Sequence, residues 1–592
     1  MMTIIFLGEV YRSIGHLVPT IVNRRCACRK GLVRRGLVEW RTTMDSTPAT
    51  ILRRAFGAEG GPGGRVLARW LFLRALGLIY FSAFFSLIFQ IRGLIGPHGI
   101  LPASEYLKAL AERFGHTAYW YAPTLLWFSQ SSRFLLLLCW AGMIAALLLT
   151  LNLWPRGMLA VCFVCFLSFV GAAQDFSGYQ SDGMLLEAGF IAWFFAPHGL
   201  RPGLAADHRS SWASLFLLQW ECFRIYFESG VAKIAGGDPQ WRNFTALDEY
   251  YQNGPLPTWI GWYVQHLPHG FHATMTFLTL ALELGLVWFM FFPRRFRIGI
   301  FCFLTTWQIG VILTANYTFL NYLTLALGFS ILDDGFLGRF FPKGFRRSSG
   351  GSEHEQPCQG GAQAAPLQSE AVETPEEATW WKALLAQVSY LRLAVASVVL
   401  TWIFYATLAE MAWMLRPGLP LPTGPVVALE PLRIANRYGL FGIMTRGRYE
   451  IELQGSRDGQ TWLAYSFRFK PQDTTKPPGI YAPYQPRFDW NLWFASLSSW
   501  REEPMVWKTE RELLAANQDV LALFDQNPFP DRAPKQVRAI VWQYWFTSLA
   551  EKRATGMWWR RKLIGLYAPT LEREDDGTIV VVQWPVPSQP ME

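Results

Sequence analysis

Runs of about twenty apolar residues recur along this 592-residue chain, and they constrain its fold more than any other feature. A hydrocarbon core ~30 Å thick offers no partner to a peptide group, so each such run must be a helix that satisfies its own backbone. Runs of this kind fall at 70–92, 133–152, 157–173, 183–197, 213–235, 271–292, 296–314, 317–332 and 388–414. The expectation is an α-helical multi-pass membrane protein of about nine spans, of which 183–197 is short and 157–173 and 317–332 lie close to their neighbours. Composition agrees. The chain is 51% hydrophobic and 17% charged, with 44 Phe and 28 Trp, which excludes a disordered chain, a collagen and a simple cytosolic enzyme.

The charge balance sets an orientation. The net charge is +10, and residues 1–69 hold twelve Lys/Arg against four acids ahead of the first long apolar run. A nucleic-acid-binding protein would spread such charge over a folded face, whereas charge placed before a span reads as a cytoplasmic flank. Counting from there, the inside loops carry Arg156, Arg201, Arg209, Arg294 and Arg295, then Arg339, Lys343, Arg346 and Arg347, while 174–182 and 315–316 carry no Lys or Arg. Nine spans place the last third of the chain outside. The expected organisation is a basic cytoplasmic leader (1–69), a multi-helix domain (70–347), a flexible cytoplasmic linker (348–387), a last span (388–414) and an extracytoplasmic domain (415–592). Met44 offers a second start, in which case residues 1–43 are no part of the chain.

Beyond residue 415 the hydrophobic period changes. Tyr449–Gln454 and 462–469 alternate around Asp458 and Gly459, a hairpin signal, and 536–547, 558–567 and 579–584 read as further strands. Trp490, Trp493, Phe494, Leu497 and Trp500 share a helical face, and 510–524 reads as helix. This is a β-rich α+β domain, a sheet or sandwich with a helical insert, whose Trp face either packs on the sheet or dips into the bilayer interface. No cysteine lies beyond Cys358, and Cys26 and Cys28 sit in the leader. Cys162 and Cys165 have CxxC spacing within an apolar helix, where burial is the expected role.

Charges inside the 213–235 run are the physical oddity. Glu221, Arg224 and Glu228 share one helical face, with Lys233 a turn beyond. A charge at mid-bilayer costs at least ~2.5 kcal/mol unless it is paired or hydrated. Two readings stay open: an intramembrane polar site, joined by Asp182 and Glu187, or an ion-pair ladder that fixes helix packing. Glu283 is a further carboxylate within reach. His266, His269 and His272 are spaced for metal in principle, but solvated interfacial histidines are the expectation. Asn243 and Asn316 head glycosylation sequons. No hydrolase elbow, phosphate loop or zincin helix occurs, so no catalytic residue, cofactor or metal is assigned.

Residues 223–233, 237–248 (with Asp238, Trp241, Arg242 and Asn243) and 255–263 resemble the lipase maturation factor family. So do 96–102, 185–190, the tail motif Asn436-Arg-Tyr-Gly-Leu-Phe-Gly442, 455–459 and 481–490. The likeness runs from about residue 70 to 570. It implies a membrane-anchored maturation factor of the endoplasmic reticulum (the inner membrane, in a bacterium) whose outer domain engages a secreted client of the lipase class, with lipid as its other partner and no nucleic acid. A cysteine-free tail argues against a thiol-redox contribution from that domain. The chain is also similar, through Tyr226, Gly230, Lys233 and Trp241, to the membrane part of vitamin-K-dependent carboxylases. That likeness carries the alternative of a membrane enzyme or lipid-handling protein with an intramembrane polar site.

Overall fold

A computed structural model describes residues 48–57, 64–204, 210–341 and 380–586. Residues 1–47 of the leader, most of the 348–387 linker, Cys26, Cys28, Cys358 and the flanking Arg209, Lys343, Arg346 and Arg347 lie outside the described residues. Arg53–Glu592 form one compact unit, and of Met1–Leu52 the described part is the start of a short helix, Pro48–Phe56.

Helices form where the apolar runs demand them, and polar side chains mark their starts. Helix α1 (Val66–Ile88) begins where the Asp334 carboxylate accepts from the amides of Val66 and Leu67, at 2.9 and 2.8 Å. A side-chain hydroxyl caps α2 (Ser132–Thr150) at Ser131 and α5 (Trp212–Ala235) at Ser211, and Pro155 opens α3 (Pro155–Val170). Helix α4 (Gln180–Phe195) carries Asp182 in its first turn, where the helix dipole favours an anion. Then follow α6 (His269–Leu284), α7 (Arg294–Thr314), α8 (Leu320–Gly328) and α9 (Trp380–Leu415). Consecutive helices α1 to α5 pack on one another, and α9 lies on α5, where the Trp220 indole donates to Thr407 Oγ1 at 3.0 Å.

All nine apolar runs are thus helical. Among the described residues, five helical stretches are able by length and composition to cross a membrane: Val66–Ile88, Ser132–Thr150, His269–Phe291, Arg294–Thr314 and Gln387–Leu415. Pro155–Val170 and Leu320–Ile331 are apolar but shorter. Helices α4 and α5 stand apart because they carry the buried charges.

The C-terminal region holds a single sheet, the first of the two arrangements open from sequence. Strand β1 (Arg448–Ser456) pairs antiparallel with β3 (Gln536–Phe546) from Arg448↔Tyr544 to Ser456↔Gln536. The order is β2 (Leu463–Ala464), β1, β3, β5 (Thr570–Arg573), β6 (Ile579–Gln583), with β4 (Trp559–Leu566) also on β3. The turn after β1 is the expected one: Asp458 accepts from the amides of Gln460 and Thr461, and Gly459 takes φ +72°.

Two expectations need correction, and one left open is decided. The strand expected over 462–469 pairs with β1 only at Leu463 and Ala464, because Tyr465 and Phe467 turn inward onto Phe524, and Ser466 forms a single bridge to Gln526 instead. The helix expected over 510–524 is two, α11 (Pro504–Leu514) and a turn at Gln518–Leu521, split where Ala516 adopts φ +50° and Asn517 caps the second. The Trp face belongs to α10 (Arg487–Ala495), which packs on β1. There Trp490 and Trp493 are buried, Trp490 against Tyr179 and Tyr317 of the helical region, while Phe494 and Leu497 remain exposed.

Helices α1 and α2 touch through a missing side chain: the Phe84 ring stands end-on over Gly142, where a Cβ would overlap it. Gly142→Val is therefore expected to destabilise the helical region by about 1–3 kcal/mol, with partial recovery when Phe84→Leu is added. Melting of the detergent-solubilised protein checks both.

Candidate functional site

The candidate residues of α4 and α5 do meet, and what they enclose is a strip of the C-terminal region. Arg224, fully buried, forms an ion pair with Glu187 of α4 and lies 3.9 Å from Glu228 one turn along its own helix. Its guanidinium also donates to the carbonyl of Asn436 at 2.6 Å. Glu187 Oε2 accepts from the Asn436 amide (3.0 Å), the Asn436 side chain (3.1 Å) and the Tyr438 hydroxyl (2.9 Å). Glu228 accepts from the Tyr438 amide at 2.7 Å, Gln180 from that of Gly439, and Ser229 from that of Leu440. Lys233 donates to the Leu440 carbonyl and to Glu283 of α6, both at 2.9 Å.

The 236–258 loop continues the grip. Asp238 caps a short helix through the Gln240 amide and accepts from Met444 N at 2.7 Å, and the Trp241 indole donates to the Phe441 carbonyl at 2.9 Å. Residues 436–444 are thus read along their backbone by side chains of α4, α5 and this loop. The charges are not confined to one helix: Arg224 pairs with Glu187 of α4 as well as with Glu228 of its own helix, and Lys233 pairs with Glu283 of α6. Glu221 is buried beside Glu187 and Tyr438 without a hydrogen bond of its own.

Two further ties join the regions. Arg487 makes a bidentate bond to Asp182 at 2.7 and 2.8 Å and donates to the Phe176 carbonyl. Two residues on, Asp489 accepts from the amides of Phe469 and Lys470, and Asn491 accepts from the Tyr179 hydroxyl at 2.6 Å. Arg448, at the start of β1, donates to the carbonyls of Gln252, Gly254 and Pro255 and pairs with Glu450. Burial pushes the Asp489 carboxyl up to about 6, against the opposing pull of Lys470 and the two amides.

Other candidates lie elsewhere. Arg242 bonds only locally, to the Ile234 carbonyl, and Asn243 is exposed. Asn316 is buried, its amide committed to Leu256, Gly479, Tyr481 and Ala482, so its sequon is closed in the folded chain. The three histidines do not converge. His266 faces the carbonyls of Trp262 and Thr547, His269 reaches Asp248, and His272 is buried beside Tyr251. They are not the solvated set expected, because the sheet and the 248–251 turn cover two of them. Cys162 and Cys165 are buried in α3. Sequence reasoning missed Asn436, Tyr438 and Arg487 as site residues, although 436–442 and 481–490 stood out as motifs.

The lipase maturation factor transmembrane domain model matches residues 67–339, and the model of the family's C-terminal domain matches 434–569. Lipase maturation factor 1 of Bos taurus is 31% identical over 539 residues, covering 88% of this chain and 92% of the relative. Lipase maturation factor 2 of Gallus gallus is 31% identical, over 86% of this chain and 82% of its own. This chain belongs to the lipase maturation factor family. It is accordingly a multi-pass integral membrane protein. The human lipase maturation factor 2, at 30% identity, covers 86% of the chain. No solved structure matches it.

The strip recognition in this family member has two measurable consequences. Arg224→Met leaves Glu187 and Glu228 buried without their cation, an expected loss of about 3–5 kcal/mol, seen as a lower melting temperature and lower membrane abundance. Adding Glu187→Gln and Glu228→Gln removes the uncompensated charge and recovers most of that loss. For Asp489 the folded value lies above the unfolded ~3.9, so its contribution is present at low pH and lost as pH climbs through about 6. Asp489→Asn should therefore gain on the parent by about 1–3 kcal/mol between roughly pH 5 and pH 7, read as the difference in melting temperature at each pH.

Proposed function

We propose that this protein is a membrane-anchored maturation factor that helps secreted enzymes of the lipase class reach an active fold. The observation that carries the reading is that both family modules match in order, at 67–339 and 434–569, and that a family member aligns over 88% of the chain. In this reading the N-terminus is cytoplasmic and residues 415–592 face the endoplasmic reticulum lumen, or the periplasm of a bacterium. The charge asymmetry of the short loops supports that orientation.

The surface proposed to meet the client is the end of the sheet. Strand β6 is last in the pairing order, and Ile579, Val581 and Val582 along it and Trp584 just after it are exposed. An apolar edge with unpaired backbone groups is a template for an extended segment of another chain, and large exposed apolar patches mark protein contacts. The clustered charges of α4 and α5 act in this scheme by positioning: they hold the domain that bears the edge.

Deleting the gene is expected to lower active secreted lipase while leaving lipase synthesis unchanged. Restoring it with Val581→Lys, which places a charge on the edge strand, should return normal membrane abundance but several-fold less active lipase. Full lipase activity in the deletion strain would refute the maturation role. Full rescue by Val581→Lys would remove β6 from it.

A further inference from the structure

Helices α6 and α7 follow one another in sequence, joined through the 3-10 helix Leu286–Phe291 that extends α6, yet they splay apart instead of packing along their length. The space between them, closed behind by α5 and α8, is a cavity of about 370 Å³. That lies within the usual range for small-molecule sites. Its walls are largely apolar, with Ile225, Met275, Phe303, Trp307, Val311 and Leu320 among them. On α7, Thr306 and Gly310 at its rim are exposed, and a Cβ at Gly310 would meet nothing within 4 Å. The cavity therefore opens along the face of an apolar helix able to cross the membrane.

Its polar groups are few and incompletely used. Glu283 is buried; one oxygen takes the Lys233 ammonium, and the other has no partner. Opposite α6, Asn321 donates to Gln308 at 2.6 Å and Gln308 donates to the Tyr226 hydroxyl at 2.8 Å. That chain ends on Tyr226, whose own proton remains to be given. A buried acceptor without a donor is costly, and a ligand hydroxyl would satisfy it. The Lys233–Glu283 pair is neutral as a unit, so a second net charge brought into this setting would lack a counter-ion.

We infer that this cavity binds one uncharged single-chain lipid from the bilayer, its hydroxyl donating to Glu283, its carbonyl accepting from Tyr226 and its chain lying along α7. The cavity borders the strip that secures the C-terminal region, sharing Ser229, Lys233, Trp241, Leu440 and Phe441 with it, and its occupancy requires no client.

The test uses the full chain in phosphatidylcholine nanodiscs with a monoacylglycerol carrying a diazirine in its acyl chain. Irradiation should label peptides of 271–283 and 303–314 saturably. Monooleoylglycerol should compete at least about tenfold better than the anionic oleoyl lysophosphatidate, since the low-dielectric site disfavours added charge. Gly310→Phe, which fills the cavity from its rim, should abolish the saturable component. Labelling that is unsaturable and spread over lipid-facing helices would overturn the site. Better competition by the lysophosphatidate would overturn its neutral ligand, and because both readings use the unaltered chain, misfolding of the variant leaves the test intact.

Discussion

Everything in this architecture follows from placing Arg224 and its carboxylate neighbours where water does not reach. Three charged side chains with no solvent exposure, on a helix packed among apolar ones, are unstable unless each finds an opposite charge and enough hydrogen-bond partners. Helix α5 cannot provide these alone, since Glu221, Arg224 and Glu228 are two acids and one base on one face. The amides of Asn436 and Tyr438 and the Tyr438 hydroxyl supply donors to Glu187 and Glu228, while both Glu221 oxygens stay without a hydrogen bond. Net stabilisation over an apolar core is not the point of such a cluster, for well-packed apolar replacements often do as well. Its effect is on specificity: only one segment, in one register, offers donors at these positions.

That register has mechanical consequences. The strip 436–444 leads within a few residues into β1, and Arg448 at the start of that strand grasps three carbonyls of the 252–255 turn. Arg487 and Asn491 fasten α10 to α4 and its approach. The sheet is thus tied on one side at several separated points, while β6, at the far end of the pairing order, takes no part in these ties. A rigid base and an unpaired edge are what a holding surface needs, because ordering the binder beforehand lowers the entropic cost of capture.

Much of the fold was legible because lipid-length apolar runs and period-two strands leave direct traces in sequence. The charged residues of α4 and α5 stood out for the same reason: polar groups in apolar runs are conspicuous. What they bind was not legible. A backbone amide has no side-chain signature, so nothing in Asn436-Arg-Tyr-Gly-Leu-Phe-Gly442 announces that its peptide groups would be taken one after another by α4 and α5. The Arg487–Asp182 pair joins residues 305 positions apart, beyond any periodicity argument. The short β2 and the split after Leu514 failed for a different reason. There, tertiary burial of Tyr465 and Phe467 and a left-handed residue at Ala516 overrode local pattern.

The two family modules meet at an informative place. The match to the C-terminal domain begins at residue 434, two residues before the strip whose backbone completes the charge cluster of the transmembrane domain. A boundary drawn there by sequence cuts through the most heavily hydrogen-bonded contact between the regions. The helical part without 436–444 would bury Glu187 and Glu228 with too few donors. The C-terminal part without α4 would leave the buried Arg487 guanidinium facing no carboxylate. Each half supplies the counter-charge or the donors that the other lacks, so the two fold as one body, with β1 joining the sheet to the buried helices.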